Sequence, residues 1–299
     1  MIRRLSTIAL AIALAPFGAF AQNSSEPVQV FSGEVAPGAW LRIRDLSGRI
    51  EVREAPGRTA TVTAVKRMDD DVERDVRFTT VRDGANVTVC AIWPRTVSCD
   101  AEGYDYNSDN WGRERRTGKV DFTVMLPKGV RLVAATGNGS VMVRDAGAEV
   151  NASSGNGEVS VLGANGRVKA SSGNGDVEVD HARGDVRASS GNGTIRVTTS
   201  TGPVSASTGN GSIRVDMAAL SNPSDMEFST GNGSITVRFP ANLSADIEAN
   251  VPWRNLETDF PMQLQSRFSG RRIEGKIGNG GPRIRFSTGN GRVSIEKGS

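Results

Sequence analysis

The sequence predicts an all-β protein, a single-domain parallel β-solenoid, and three observations support this fold class. A Gly-Asn-Gly motif recurs with its asparagines 18 residues apart over five successive copies. Each 18-residue unit holds two stretches in which apolar and polar residues alternate, the pattern of half-buried strands. Repeated units of this length cannot bury their own apolar faces, so they stack on their neighbours. We therefore expect 18-residue coils of two strands and two turns, with irregular terminal coils.

The first residues predict a secretory signal peptide over residues 1–21. Arg3 and Arg4 precede an apolar stretch, and Ala19-Phe20-Ala21 forms a small-x-small cleavage site. The apolar stretch is shorter than the ~20 residues that a transmembrane helix needs, and no later stretch is apolar enough. We expect export to the periplasm or to the cell surface or extracellular space, with no transmembrane segment after cleavage. Residues 22–38 would then form a linker before a solenoid domain over residues 39–299.

The amino-terminal part of the solenoid, residues 39–135, is predicted to be irregular. Its strands alternate as the repeats do, but their turns are poorer. Cys90 and Cys99 lie close in sequence. In an oxidising compartment such a pair is most simply a local disulfide, with two free thiols as the alternative.

Regular coils are predicted over residues 136–240, followed by irregular carboxy-terminal coils over 241–299. Alanine in one strand faces valine in the other, which predicts a flattened coil. The glycines on either side of each asparagine would supply the positive φ of a tight corner. Stacked asparagine side chains would then hydrogen-bond from coil to coil. The asparagines expected in this turn ladder are Asn138, Asn156, Asn174, Asn192, Asn210, Asn232 and Asn290.

The residue pattern argues against catalysis, and we expect no catalytic residue, cofactor or metal site. The one histidine, His181, lies in the weaker turn of a coil and is interpreted as a solvated surface residue. Outward carboxylates such as Asp176 and Glu178 fit a solvated face. Polysaccharide-degrading enzymes built on β-helices need sugar-stacking aromatics, and residues 138–215 contain none. The calcium-binding nonapeptide repeat needs a carboxylate in every coil, which these coils lack.

The loop over residues 100–116 interrupts the pattern and concentrates tyrosine, tryptophan and charge. Its Asp105, Asn107 and Asp109 resemble the opening of an EF-hand loop, but Arg116 stands where that loop needs a glutamate. A flexible polar loop is the favoured interpretation. Long insertions are often functional, so these three residues and Trp111 form a candidate binding loop.

Charge excludes one class of partner. The chain has 36 Lys and Arg against 33 Asp and Glu, a net charge of +3, and the two signs are interspersed. Nucleic-acid binding needs basic residues clustered on one face, so we expect no nucleic-acid partner.

The order of these segments resembles a bacterial β-solenoid family, the domain of unknown function 4097, for which an adhesin role has been proposed. The resemblance extends from about Trp40 to Glu296. It implies export and surface presentation, and it brings no catalytic residues to this chain. The segments that carry it are Leu46-Ser47-Gly48-Arg49-Ile50-Glu51-Val52, Val124-Met125-Leu126-Pro127-Lys128-Gly129-Val130, the Ser-Gly-Asn-Gly turns, Gly278-Asn279-Gly280 and Ser287-Thr288-Gly289-Asn290-Gly291-Arg292-Val293.

We hypothesise an exported, non-enzymatic, adhesin-like protein whose outward ladders or whose 100–116 loop contact an unidentified protein or envelope polymer. One alternative is a carbohydrate-active enzyme on a β-helix, which would show carboxylates converging in a groove beside Trp111 or Trp253. Another is a Ca²⁺ or small-ligand module at the 100–116 loop.

Overall fold

The computed structural model describes residues 26–68, 75–106, 118–221, 224–264 and 272–298, and the predicted signal peptide lies outside them. Within these ranges the chain forms 27 strands and one short 3₁₀ helix, Trp253–Asn255. The strands are β1 (Val28–Glu34), β2 (Trp40–Ser47), β3 (Ile50–Glu54), β4 (Thr59–Met68), β5 (Arg77–Asp83), β6 (Asn86–Ile92), β7 (Thr96–Cys99), β8 (Tyr104–Tyr106), β9 (Gly118–Leu126), β10 (Arg131–Asn138), β11 (Val141–Arg144), β12 (Val150–Asn156), β13 (Val159–Leu162), β14 (Val168–Asn174), β15 (Val177–Ala182), β16 (Val186–Asn192), β17 (Ile195–Thr199), β18 (Val204–Asn210), β19 (Ile213–Met217), β20 (Met226–Asn232), β21 (Ile235–Phe239), β22 (Ala245–Asn250), β23 (Leu256–Thr258), β24 (Met262–Leu264), β25 (Arg272–Ile277), β26 (Arg283–Asn290) and β27 (Val293–Lys297).

Two large sheets form the walls of the solenoid. One wall has 12 strands in the order β1-β4-β9-β3-β11-β13-β15-β17-β19-β21-β27-β23, and the other has 13 in the order β24-β25-β22-β26-β20-β18-β16-β14-β12-β10-β2-β6-β5. Strands β7 and β8 pair separately. Each coil contributes one parallel strand to each wall, which confirms the predicted β-solenoid.

Successive regular coils stack in register, so the repeat becomes columns of like side chains. Val150 pairs with Val168, and Ala152 pairs with Ala170, in the 13-stranded wall. Val159 pairs with Val177 in the 12-stranded wall. These inward side chains are buried, so burial of the shared columns holds neighbouring coils together.

The inward side chains become larger toward the carboxy-terminal end. Alanines such as Ala188 and Ala206 occupy the second inward column in the middle of the stack, and Phe228 follows Ala206 in the same column. Phe228 stacks on Phe286 of the next coil, with ring centroids 5.4 Å apart. Alanine in this column is therefore confined to the middle of the stack, and the flattened coil expected there stays a prediction.

The amino-terminal end is closed by strands that are inserted in the sequence. Strands β2 and β3 form a coil directly beside β10 and β11, and the intervening chain supplies the antiparallel pairs β4–β9 and β5–β6. Strand β1 pairs antiparallel with β4. The linker predicted over residues 22–38 is therefore wrong for Val28–Glu34. An irregular register between Gln29 and Phe31 breaks the alternation that would have revealed this strand.

The carboxy-terminal end repeats this arrangement. Strands β26 and β27 form a regular coil that stacks directly on β20 and β21, so the prediction of irregular coils over 241–299 is wrong for this segment. Strands β22 and β23 lie beyond that coil. Strand β25 pairs antiparallel with β22 and with β24. No helix in the described ranges is long and apolar enough to cross a membrane.

Candidate binding surface

One corner of every regular coil carries an exposed asparagine, and the seven predicted asparagines are joined in a single hydrogen-bonded line. We call this line the amide ladder. Each Nδ2 donates to the Oδ1 of the asparagine in the neighbouring coil on the amino-terminal side, over 2.7–2.9 Å. The six bonds run from Asn156 to Asn138, Asn174 to Asn156, Asn192 to Asn174, Asn210 to Asn192, Asn232 to Asn210 and Asn290 to Asn232. Asn279 lies in a turn outside the ladder.

The direction of these bonds leaves defined groups for an outside partner. An amide has two N–H donors and two acceptor positions on its oxygen. An asparagine inside the ladder, such as Asn174, uses one donor and one acceptor within it. The ladder therefore still offers one donor and one acceptor per internal rung to solvent or to a ligand.

Behind the amide ladder lies a second, buried line of hydroxyl groups. The residue two positions before each asparagine is serine or threonine, and its Oγ donates to a glycine carbonyl of the neighbouring coil. Ser172 donates to Gly157 over 2.8 Å, and Ser190 donates to Gly175 over 2.8 Å. Thr136 bonds Gly48 in the same way over 3.2 Å. We call this line the hydroxyl ladder. Sequence analysis missed it, although the regular Ser or Thr before each Gly-Asn-Gly was its signal.

The two glycines of each corner serve different needs. The second glycine has positive φ in most coils, as at Gly157 with φ 143° and Gly175 with φ 153°. The first glycine does not have positive φ, which corrects the expectation that both supply it. It is required because the coils approach closely: a Cβ built on Gly173 would lie 2.4 Å from the carbonyl oxygen of Gly155. A side chain at either position would force neighbouring coils apart.

The outward side of the 13-stranded wall carries a column of serines beside the amide ladder. Six serines pair in register in successive coils, and none makes a side-chain hydrogen bond within the described part of the chain. We call them the serine column: Ser153, Ser171, Ser189, Ser207, Ser229 and Ser287. The column and the ladder together form a flat strip, the polar strip. Over residues 136–221, all of them described, no large apolar side chain is exposed.

The predicted binding loop is only partly placed. Cys90 and Cys99 form a disulfide that links β6 to the short β7–β8 hairpin. Asp105 lies on β8 and accepts a 2.8 Å hydrogen bond from Ser98 Oγ. Asn107, Asp109 and Trp111 lie outside the described residues. The structure therefore gives no binding arrangement for these four residues.

A buried carboxyl lies beneath this hairpin. Asp45 occupies the column of the hydroxyl ladder, where it pairs with Thr136, and only 3% of it is exposed. Trp93 Nε1 donates to its Oδ1 over 2.9 Å, whereas its Oδ2 has no partner among the described residues. Burial raises the pKa of Asp45 to about 7. Nearby, burial raises the pKa of Tyr104 to about 12, and its hydroxyl donates to the carbonyl of Ala91.

Groups that could resemble a hydrolytic site are arranged differently from one. His181 Nδ1 lies 2.7 Å from Asp180 Oδ2, and Thr198 also donates to the Asp180 carboxylate. In a catalytic triad the base contacts the nucleophile, whereas here the Asp180 carboxylate lies between the His181 ring and the Thr198 hydroxyl, and Thr198 contacts His181 only through the backbone N–H. Near the carboxy-terminal end, Glu248 and Glu274 share ion pairs with Arg272 at 3.0 and 2.7 Å. Trp253 is 53% exposed and does not line the pocket that contains these carboxylates.

The described ranges contain no cluster of three or more His, Cys, Asp or Glu side chains that could hold a metal ion.

Comparison with known families gives one match. The family model described as Toastrack DUF4097 matches residues 108–296, more than half of the chain. The match begins well after Trp40, although β2 and β3 before it form a coil of the same stack.

Three solved structures resemble the chain at low identity. The first is a proposed cell adhesion protein from Clostridium sporogenes, with 8% identity, 91% of this chain and 100% of that chain covered, and a TM-score of 0.29. The second is a proposed adhesin from Bacteroides fragilis, with 11% identity, coverages of 91% and 97%, and a TM-score of 0.42. The third is a proposed adhesin from Parabacteroides merdae, with 9% identity, coverages of 92% and 97%, and a TM-score of 0.27. No curated protein matches the chain.

Proposed function

The chain belongs to the Toastrack DUF4097 family, and we propose that it is an exported, non-enzymatic, adhesin-like solenoid that binds a cell-envelope polymer or protein along its polar strip. The observation that carries this proposal is the strip itself. Each coil offers a serine hydroxyl and part of an asparagine amide, and successive coils offer the same groups in line.

The spacing of these groups favours a polymer over a protein. Parallel strands lie ~4.8 Å apart, so the strip is a rigid linear array with one polar pair per coil. A polymer with repeated hydroxyl or amide groups can contact several coils at once, and such multivalent contacts raise the overall affinity. Protein interfaces instead depend on a few buried aromatic or arginine anchors, and the described strip exposes no aromatic side chain.

Export is supported by two features that do not depend on the strip. The sequence begins with a basic, apolar and small-residue order typical of a signal peptide. The Cys90–Cys99 disulfide is a bond that persists in oxidising compartments.

A binding experiment tests the strip directly. Ser189 and Ser207 pair in adjacent coils, and a double Ser189→Glu, Ser207→Glu variant would place two bulky charges on the strip. Thr236 and Ser294 pair in adjacent coils of the opposite wall, so Thr236→Glu, Ser294→Glu is the matched control. The measurement is co-sedimentation with purified envelope polysaccharide. We expect the affinity for the polysaccharide to fall at least about tenfold for the first variant only. Equal retention of both variants would show that the strip is not the binding surface.

A further inference from the structure

The amino-terminal end of the amide ladder opens into a pocket of about 330 Å³. The walls of this pocket come from the corner beside β3, the first regular corner and the cap strands β4 and β9. Its lining contains three basic side chains and one acidic one: Arg49, Arg67, Lys119 and Asp121. We call it the ladder-end pocket.

The single carboxylate in this pocket is already engaged. Arg67 Nε donates to Asp121 Oδ2 over 2.7 Å, and the backbone N–H of Arg49 donates to Asp121 Oδ1 over 2.9 Å. Within the described part of the chain, the Arg49 and Lys119 side chains have no acidic partner. Among the described residues, two positive charges in the pocket therefore lack an ion-pair partner.

The strand register makes this surplus unfavourable in the free protein. Arg67 and Lys119 are directly opposed partners in the antiparallel β4–β9 pair. Like charges at directly opposed positions destabilise a sheet. The ion pair of Arg67 with Asp121 offsets part of this repulsion, and an anion bound beside Lys119 would offset more of it.

The ladder itself points a donor into the same pocket. Because every rung donates toward the amino-terminal side, Asn138 accepts from Asn156, and neither N–H group of its own Nδ2 has an acceptor among the described residues. Its in-register neighbour is Ser47 rather than another asparagine. Aligned hydrogen bonds polarise one another, so this end of the ladder presents its donor side among the three cations.

The pocket at the other end of the stack is different. It has a volume of about 300 Å³, and its charged lining residues are balanced. They are Asp246, Glu248, Glu274, Arg272, Lys276 and Arg283. Of these two pockets, the ladder-end pocket is the one whose lining has an excess of basic side chains.

We propose that the ladder-end pocket binds an oxyanionic group, a carboxylate or a phosphate, of an acidic envelope polysaccharide whose chain continues along the polar strip. The proposal rests on the proposed function for the polymer, whereas the pocket's affinity for a free oxyanion can be measured by itself.

The test uses the full chain after export and two probes, an alginate oligosaccharide as the carboxylate polymer and inorganic phosphate as the free anion. Lys119→Gln removes one cation from the pocket, and Asn138→Asp replaces its free amide donor with an oxygen while keeping the acceptor for Asn156. Lys276→Gln removes one cation from the opposite pocket and is the matched control. Calorimetric titration at low salt is the measurement, because screening weakens such contacts as ionic strength rises.

We expect the wild type to bind alginate, and Lys119→Gln and Asn138→Asp each to lose at least about tenfold in affinity. Lys276→Gln should stay within about twofold of the wild type. Equal alginate affinity in the wild type and Lys119→Gln would show that the ladder-end pocket does not bind the polymer, and it would not contradict binding along the polar strip. Binding of phosphate without any alginate binding would retain the oxyanion site and overturn the assignment to a polysaccharide. No binding of either probe would overturn the inference entirely.

Discussion

The regular coils and the two ends of the stack use the same columns for different side chains. In the middle, one inward column holds small side chains, as at Ala170 and Ala188. Toward the ends the same wall buries larger side chains, such as Ile43 and Phe286. The hydroxyl ladder ends in the same way, since Thr136 is followed by the buried Asp45. The inward columns and ladders of the middle are thus uniform, whereas the ends fill the same columns with side chains that the repeat does not supply.

This contrast has a physical basis. A coil inside the stack has a similar neighbour on each side, so small side chains bury its apolar face and repeated hydrogen bonds pair its polar groups. A terminal coil has no such neighbour, and an open sheet edge would pair with other chains. The antiparallel strands β4, β5 and β25 cover those edges. The ends must therefore use sequences that the repeat does not supply.

The largest expected effect comes from a corner glycine in the middle of the stack. Gly173→Ala should lower the free energy of unfolding by about 3–5 kcal/mol, because its Cβ would lie 2.4 Å from the Gly155 carbonyl oxygen. Gly57 is the control, since a Cβ there meets nothing within 4 Å, and Gly57→Ala should change stability by less than about 1 kcal/mol. Urea denaturation measures both. Similar values for the two variants would mean that the corners tolerate a side chain.

An intermediate effect is expected at the amino-terminal end, where it should depend on pH. Burial raises the pKa of Asp45 to about 7, against about 3.9 for an unfolded aspartate. The folded state therefore holds this proton more tightly, and the stability from the protonated form is lost as pH rises from about 4 to about 7.

Asp45→Asn should therefore gain stability relative to the wild type over that range, by up to about 1.4 kcal/mol per pH unit. Denaturation at four pH values between 4.5 and 7.5 measures this difference. Asp83→Asn is the control, because Asp83 is exposed and is the last residue of β5 at the same end of the stack. A constant difference across the range would contradict the buried, protonated carboxyl.

The smallest expected effect distinguishes the inside of the amide ladder from its end. Asn174→Ala removes two ladder bonds, whereas Asn290→Ala removes one. With about 0.5–1.5 kcal/mol per hydrogen bond, the internal variant should lose about twice as much stability as the terminal one. Thermal unfolding of both proteins gives the ratio. A larger loss for Asn290→Ala would show that the rungs are not equivalent.

Much of the structure of the middle coils could be predicted, because the repeat itself shows where their strands and turns lie. The 18-residue spacing places Asn174 beside Asn156 of the neighbouring coil, and the alternation of apolar and polar residues shows which side chains face inward. The hydroxyl ladder was also visible in the serine or threonine before each motif, but a polar residue in an alternating strand does not by itself show what it bonds. Asp45 follows Leu41 and Ile43 in alternation, so its inward direction was readable, although its burial depends on Trp93 from a distant segment.

The order of coils at the ends was not predictable from the pattern. Val293 and Ile295 alternate like any other strand, and nothing local shows that they pair with Ile235 and Val237 on one side and with β23 on the other. In the structure the chain leaves the position beside β20 and β21 open and forms β22 to β25 first. It then returns and fills that position with β26 and β27. Such a choice depends on long-range packing, which a periodic sequence leaves undetermined.

The most direct test of the account is to remove one coil. Deletion of residues 157–174 joins Asn156 to Gly175 and restores the Ser-Gly-Asn-Gly corner without a mismatch. If the middle coils are interchangeable, thermal unfolding followed by circular dichroism should show a β-rich protein with one cooperative transition at a modestly lower temperature. Loss of the β-sheet signal or of the cooperative transition would contradict the account, because it would mean that this coil carries information its neighbours lack.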